Sequence, residues 1–151
     1  MIKIISVGKI KEKYLKEAIK EYKKRLSKYT KLEIIECADY DNPSKEVVLE
    51  QEYIQINKYI KEKDFVITME IEGTQLSSTE FSYKLNQLFN YNSNIVFVIG
   101  GSLGLSEQIK KRSNYKISFS KMTFPHQLFR VILLEQIYRA FKINNNETYH
   151  K

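Results

Sequence analysis

Short apolar runs rich in β-branched residues alternate along this chain with longer stretches of helical period, and no other feature constrains the fold as much. The candidate strands are Ile2–Val7, Leu32–Cys37, Phe65–Ile71, Asn94–Ile99 and Tyr115–Phe119. That alternation is the sequence form of a mostly parallel α/β sheet. The third and fourth runs are almost continuously apolar, so they are expected as central strands covered on both faces. The fold class is therefore α/β, a five-stranded, mostly parallel sheet with helices on both faces. At 151 residues with neither repeat nor linker, residues 1–151 are expected to form one domain.

The helical stretches carry their own signals. Tyr14, Leu15, Ala18, Ile19, Tyr22, Leu26 and Tyr29 recur at steps of three and four and define an amphipathic first helix. Its outer face holds Lys16, Lys20, Lys23, Lys24 and Lys28. Interspersed Glu12, Glu17 and Glu21 predict a solvated face with local ion pairs rather than an RNA groove. Leu49, Tyr53, Ile56 and Ile60 mark a second helix, entered through Asp41-Asn-Pro-Ser44. Ser77-Ser-Thr-Glu80 has capping-box spacing and opens a third, with Phe81, Leu85 and Leu88 inward. Leu105-Ser106 starts a short fourth, and Gln127 to about Ile143 is the fifth, with Leu128, Val131, Leu134, Tyr138 and Phe141 on one face.

Composition narrows the partners. A formal net charge of +7 draws the molecule to polyanions, with RNA, DNA or an anionic membrane surface as candidates. The single cysteine, Cys37, excludes an internal disulfide and a CxxC zinc site, and is expected as a small buried hydrophobe. No stretch approaches the roughly 20 apolar residues that span a bilayer, and Met1–Gly8 lacks the h-region of a signal peptide. A cytoplasmic location without membrane or metal is the expectation.

Three segments have the character of a ligand site. Gly100-Gly-Ser-Leu-Gly104 follows a buried strand and precedes a helix, so its amides can approach a ligand without Cβ interference. It is neither a dinucleotide fingerprint, which follows the first strand as GxGxxG, nor a P-loop. Taken alone it is equally a tight turn. Ser118-Phe-Ser-Lys-Met-Thr-Phe-Pro-His126 leaves a strand end with free backbone groups that a planar heterocycle can satisfy, and Pro125 then enters a helix where a missing amide costs little. Tyr149-His150-Lys151 reads as a fraying tail on physics alone. If it folds back, it joins Glu135 and Arg139, one turn apart on the last helix.

These residues resemble the RlmH family, SPOUT-class (α/β-knot) rRNA methyltransferases that modify N3 of a pseudouridine in helix 69 of large-subunit (23S) rRNA. The likeness runs from Ile2-Lys-Ile-Ile-Ser-Val-Gly-Lys9 through Phe97-Val-Ile-Gly-Gly101 to Phe119-Ser-Lys-Met-Thr-Phe-Pro-His-Gln127, Tyr138-Arg-Ala-Phe-Lys142 and Tyr149-His150-Lys151. The resemblance implies S-adenosylmethionine as donor, a C-terminal trefoil knot, a homodimer with its sites at the subunit interface, and 23S rRNA in the ribosome as partner. Carried over by position, cofactor contacts fall on Met69, Gly100, Phe119, Ser120, Lys121, Met122, Thr123 and Phe124. The implied catalytic group is His150, Arg139, Tyr149 and Glu135, with His150, or less favourably His126, as general base and Arg139 stabilising an imidate.

This chain departs from the family pattern at Leu103, at Asn145-Asn146, where Arg-Gly is common, and in a shorter segment near Asp41-Asn-Pro-Ser44. Asn tolerates the left-handed turn that Gly favours. A rival expectation is a non-enzymatic RNA- or ribosome-binding module, in which the glycine loop merely turns. A nucleotide-dependent oxidoreductase is disfavoured by the position of the glycines, although Glu36 and Asp39 lie near the place of a ribose-binding carboxylate.

Overall fold

In the computed structural model, which describes all residues 1–151, the chain runs β1 (Ile2–Val7), α1 (Lys13–Leu26), β2 (Leu32–Cys37), α2 (Lys45–Asn57), β3 (Phe65–Gln75), α3 (Ser78–Tyr91), β4 (Ile95–Ile99), α4 (Glu107–Arg112), β5 (Tyr115–Ser118) and α5 (His126–Asn144). All strand pairs are parallel, in the order β2-β1-β4-β3-β5. The expected α/β sheet is present, and β3 and β4 are interior strands.

Crossover handedness distributes the helices. The β1-to-β2 and β3-to-β4 connections step one way along the sheet and the β2-to-β3 and β4-to-β5 connections step the other, so right-handed crossovers put α1 and α3 on one face and α2 and α4 on the other. The packing agrees. Ile2, Ile4 and Phe97 join Leu26, Phe81, Leu85 and Leu133, whereas the alternate strand residues Ile5, Val96 and Val98 join Ile56 and Ile109. The α5 helix closes the first face, lying against α1 and α3.

Local signals place the helix starts. Ser77 and Glu80 form the anticipated reciprocal box, Glu80 N to Ser77 Oγ at 3.1 Å and Ser77 N to Glu80 Oε1 at 2.8 Å. Ser106 caps α4 through Ile109 N. Cys37 is buried as expected.

Several expectations need correction. Tyr14, read as inward on α1, is 66% exposed, and Leu128 of α5 is also exposed, while Arg130 is buried at 3%. Strand β3 extends beyond Ile71 to Gln75 because Met69 and Thr74 both pair with Ile117, looping out residues 70–73. Only glycine permits this: a Cβ on Gly73 would lie 2.8 Å from the Ile117 backbone. The lysine-rich face of α1 also lacks the ion pairing anticipated for it. Arg25 with Glu21 is its one internal pair, at 3.1 Å, and Lys16, Lys20 and Lys23 have no acidic partner.

Candidate active site

Beyond the carboxyl ends of β3, β4 and β5 lies an open cavity of about 460 Å³, within the range of small-molecule sites. Three loops surround it, and two owe their shape to glycine. Gly104 takes φ +83°, and its amide donates to Gly101 O at 3.1 Å, folding the loop after β4 back on itself. A Cβ on Gly100 would sit 2.5 Å from Gly104 O. The Gly100→Ala variant should therefore displace the loop and weaken ligand affinity by about tenfold or more, read by titration calorimetry. The third loop turns because Ser120 Oγ accepts from Met122 N at 3.0 Å and Ser118 Oγ donates to Ser120 O at 3.0 Å.

The cavity brings together Met69, Gly100, Phe119, Ser120, Met122, Thr123 and Phe124, seven of the residues expected there. Lys121 is the exception. It stands at the apex of the Ser120 turn, exposed and outside the lining. Sequence reasoning missed Glu70 and Glu72, which the looped-out segment of β3 carries into the cavity. Thr68 Oγ1 donates to Glu70 Oε2 at 2.6 Å and holds that carboxylate in place. Phe129 adds a third ring beside Phe119 and Phe124, at centroid distances of 5.3 and 6.1 Å respectively.

His126 also lines the cavity. Burial, reinforced by the Arg130 guanidinium, lowers its pKa below the ordinary 6.5, against a smaller opposing pull from Asp39. The folded state thus favours neutral imidazole, and the unfolded chain binds the extra proton as pH falls through about 6.5, so stability is present above that pH and lost below it. Melting curves of His126→Gln should depend less on pH between about 5 and 7 than those of the parent.

A second constellation lies further along α5. Glu135 accepts four hydrogen bonds: from Tyr22 Oη at 2.6 Å and Tyr149 Oη at 2.8 Å on one oxygen, and from Arg139 Nε at 3.0 Å and Nη2 at 2.6 Å on the other. Arg139 Nη1 meets His150 Nδ1 at 3.1 Å. Since guanidinium only donates, Nδ1 accepts, and neutral His150 carries its hydrogen on Nε2. Burial and the Glu135 carboxylate raise the pKa of both Tyr22 and Tyr149, keeping the phenols protonated donors.

The C-terminal tail is docked rather than frayed. Asn146 adopts φ 54°, the left-handed turn available to Asn. Glu147 accepts from Tyr29 Oη at 2.8 Å and Lys142 Nζ at 2.9 Å, and the Tyr149 ring stands edge-on to Tyr138 at 5.0 Å. The four expected catalytic residues are thus gathered, but none of them lines the cavity. Arg139 is thirteen residues beyond His126 on one helix, about 20 Å at 1.5 Å per residue. Within one chain the two halves of the site are apart.

Comparison with known proteins bears on this arrangement. A family profile described as predicted SPOUT methyltransferase matches residues 1–150. Two Clostridium botulinum proteins, of strains Kyoto and Hall, are named ribosomal RNA large subunit methyltransferase H; they are 59% and 58% identical, and each alignment covers 99% of both chains. The structure of a probable methylase family protein from Haemophilus influenzae Rd KW20 superposes with a TM-score of 0.57, covering 99% of this chain and 70% of that one. At 16% identity that likeness speaks for the fold alone.

Proposed function

We propose, from the premise that this chain belongs to the SPOUT methyltransferase family, that it methylates N3 of a pseudouridine in helix 69 of large-subunit (23S) rRNA. The donor is S-adenosylmethionine, the substrate is the assembled ribosome, and the working unit is a homodimer. The names of the relatives support the rRNA target. The observation that carries the reading is the division of one chain into a glycine-cradled cavity and a separate, carboxylate-organised Arg139–His150 pair.

The cavity fits the donor. Gly100 leaves room where a Cβ would collide, Phe119, Phe124 and Phe129 offer aromatic surface to an adenine, and Glu70 and Glu72 suit an ammonium or ribose hydroxyls. When bound, S-adenosylmethionine supplies a methyl group already activated on sulfonium. The trefoil knot belongs to the same proposal, with the turn 119–125 and α5 as the threaded part of the chain.

Two halves about 20 Å apart on one chain cannot act on the same atom, so the tail of a second copy must close over the cavity. The mouth supports such a cover: Ile71, Met122 and the neighbouring Leu103 are all exposed apolar residues around it. In the closed site the N3 proton would leave first, and the imidate nitrogen would then take the methyl carbon as that carbon's bond to sulfur breaks, leaving a neutral thioether. Arg139 and the Nε2–H of His150 donate to the carbonyl oxygens flanking N3 and hold the imidate charge. His150 then acts as a donor in place of the base expected from sequence, because Arg139 occupies Nδ1, and the N3 proton departs to solvent. Tyr149 and Glu135 position the pair.

A tritiated methyl-transfer assay on naked rRNA, large subunits and whole ribosomes tests the reading. Label at N3 of a single helix 69 pseudouridine, strongest on whole ribosomes, is expected. Ribosome binding without transfer, and without affinity for S-adenosylmethionine, would instead establish the non-enzymatic module.

A further inference from the structure

His126 opens α5 and lines the glycine-cradled cavity, and neither of its ring nitrogens is hydrogen-bonded within the chain. Gly8, just past the end of β1, takes φ +90° and carries no side chain, and three polar groups gather around the space left there. The point that a Cβ on Gly8 would occupy lies 3.7 Å from Arg130 Nη2, 3.9 Å from Asp39 Oδ2 and 4.0 Å from His126 Nε2. Arg130, 3% exposed, is fixed in this cluster by Glu36 Oε2 at 3.0 Å and Val7 O at 2.7 Å. The imidazole thus stands between a guanidinium that penalises its cationic form and a carboxylate that favours it.

The proposed reaction needs a first acceptor for the N3 proton. N3 of a uracil-like ring is an imide that ionises well above neutral pH, so a base within reach eases formation of the imidate. His150 does not offer one, because Arg139 occupies its Nδ1. The other charged groups facing the cavity are Glu70 and Glu72 from β3 and Lys110 from α4, the last paired with Glu107 at 3.7 Å. The two carboxylates suit the ammonium or ribose hydroxyls of the donor, and imidazole is in general a stronger base than a carboxylate by about two pKa units. Burial keeps His126 in its neutral, accepting form, and Asp39 faces the charge that develops when it accepts. A second copy's tail closing over the cavity brings the acceptor base towards this wall, so the role needs no surface that the dimer covers.

We propose that His126 of the subunit holding the donor is the first acceptor of the N3 proton. The N3–H bond breaks with its electron pair left on N3, an N–H bond forms on the unprotonated ring nitrogen, and the imidazolium, balanced by Asp39, then releases the proton to solvent. The inference rests on the reading of this cavity as the donor site and of the second copy's Arg139–His150 pair as the acceptor half.

The test follows single-turnover methyl transfer to whole ribosomes from about pH 5.5 to 9, with enzyme and S-adenosylmethionine saturating, for the parent, His126→Gln and Asp39→Asn. The parent rate should fall as pH drops below about 6.5, where the imidazole gains its own proton, and stay level above about 7. His126→Gln should be slower by about 10²-fold at pH 7 and gain about tenfold per pH unit, because hydroxide must then take the proton, so that the deficit is largely gone by about pH 9. Asp39→Asn should move the acid limb to lower pH, since the imidazolium loses its carboxylate. A His126→Gln protein reduced by the same factor at every pH would show that His126 only shapes the cavity, and would overturn the proposal, as would a rate equal to the parent's. A parent rate that climbs tenfold per unit across the whole range, or an acid limb unmoved in Asp39→Asn, also overturns it, without need of the His126 variant. A parent that transfers no methyl group refutes the proposed activity and this role with it, whereas transfer that does not depend on His126 refutes the role alone.

Discussion

Replacing Arg139 with alanine is expected to lower methyl transfer to ribosomes by about 10²- to 10³-fold while affinity for S-adenosylmethionine stays at the parental value. Both parts follow from the placement of Arg139. It lines no part of the cavity in its own chain and, in the proposed dimer, faces the acceptor base rather than the donor, and it is the one cation hydrogen-bonded to His150, at 3.1 Å. On the proposed mechanism, removing it takes away a donor to the imidate and also releases Nδ1, so that His150 is free to change tautomer. Arg139→Lys should recover little, because an ammonium cannot keep two bonds on Glu135 Oε1 while reaching the imidazole. Single-turnover rates and calorimetry on the same preparations check the two parts. A parallel loss of donor affinity would contradict the assignment of Arg139 to the acceptor half.

Glu135→Ala should combine a loss of activity with a loss of stability. The Glu135 side chain is 20% exposed and satisfies Tyr22, Tyr149 and Arg139 at once. Without it, two partly buried hydroxyls and a guanidinium lose their acceptor, at a cost of about 2 kcal/mol. For a chain of this size that corresponds to a melting temperature lower by roughly 4–8 °C. Tyr149 loses its only side-chain hydrogen bond, so amides of residues 147–151 should exchange faster than in the parent. Glu135→Gln, which keeps an acceptor oxygen, should lie between the two in melting temperature and remain impaired in transfer. A tail whose exchange is unchanged in Glu135→Ala would show that Tyr138 and Glu147 alone hold it.

Much of this arrangement was legible where local chemistry decides it. β-Branched runs gave the strands, Ser77 and Glu80 the start of α3, Ser106 the start of α4, and Asn146 the left-handed turn that brings the tail back. The sequence failed where distant backbone decides. The stretch after Met69 is polar and unpatterned, so its pairing with β5 around a loop, and with it the placement of Glu70 and Glu72, depends on how closely Gly73 approaches Ile117. Arg130 sits in an amphipathic pattern as a surface cation and is buried because Val7 O and Glu36 receive it. Strand order and the separation of the two half-sites leave no periodic trace. The family resemblance supplied the residues of both halves, but only the fold shows that a single chain keeps them apart.

That separation is the centre of the account, and subunit mixing tests it directly. Two inactive chains, one with Gly100→Leu to block the cavity and one with Arg139→Ala, are co-expressed with different tags, and the mixed dimers are purified through both tags. A site built from two subunits has one intact pair in each mixed dimer, and methyl transfer should return to about half of the parental rate. Mixed dimers as inactive as either parent variant would mean that cavity and tail act within one chain, and would contradict the account.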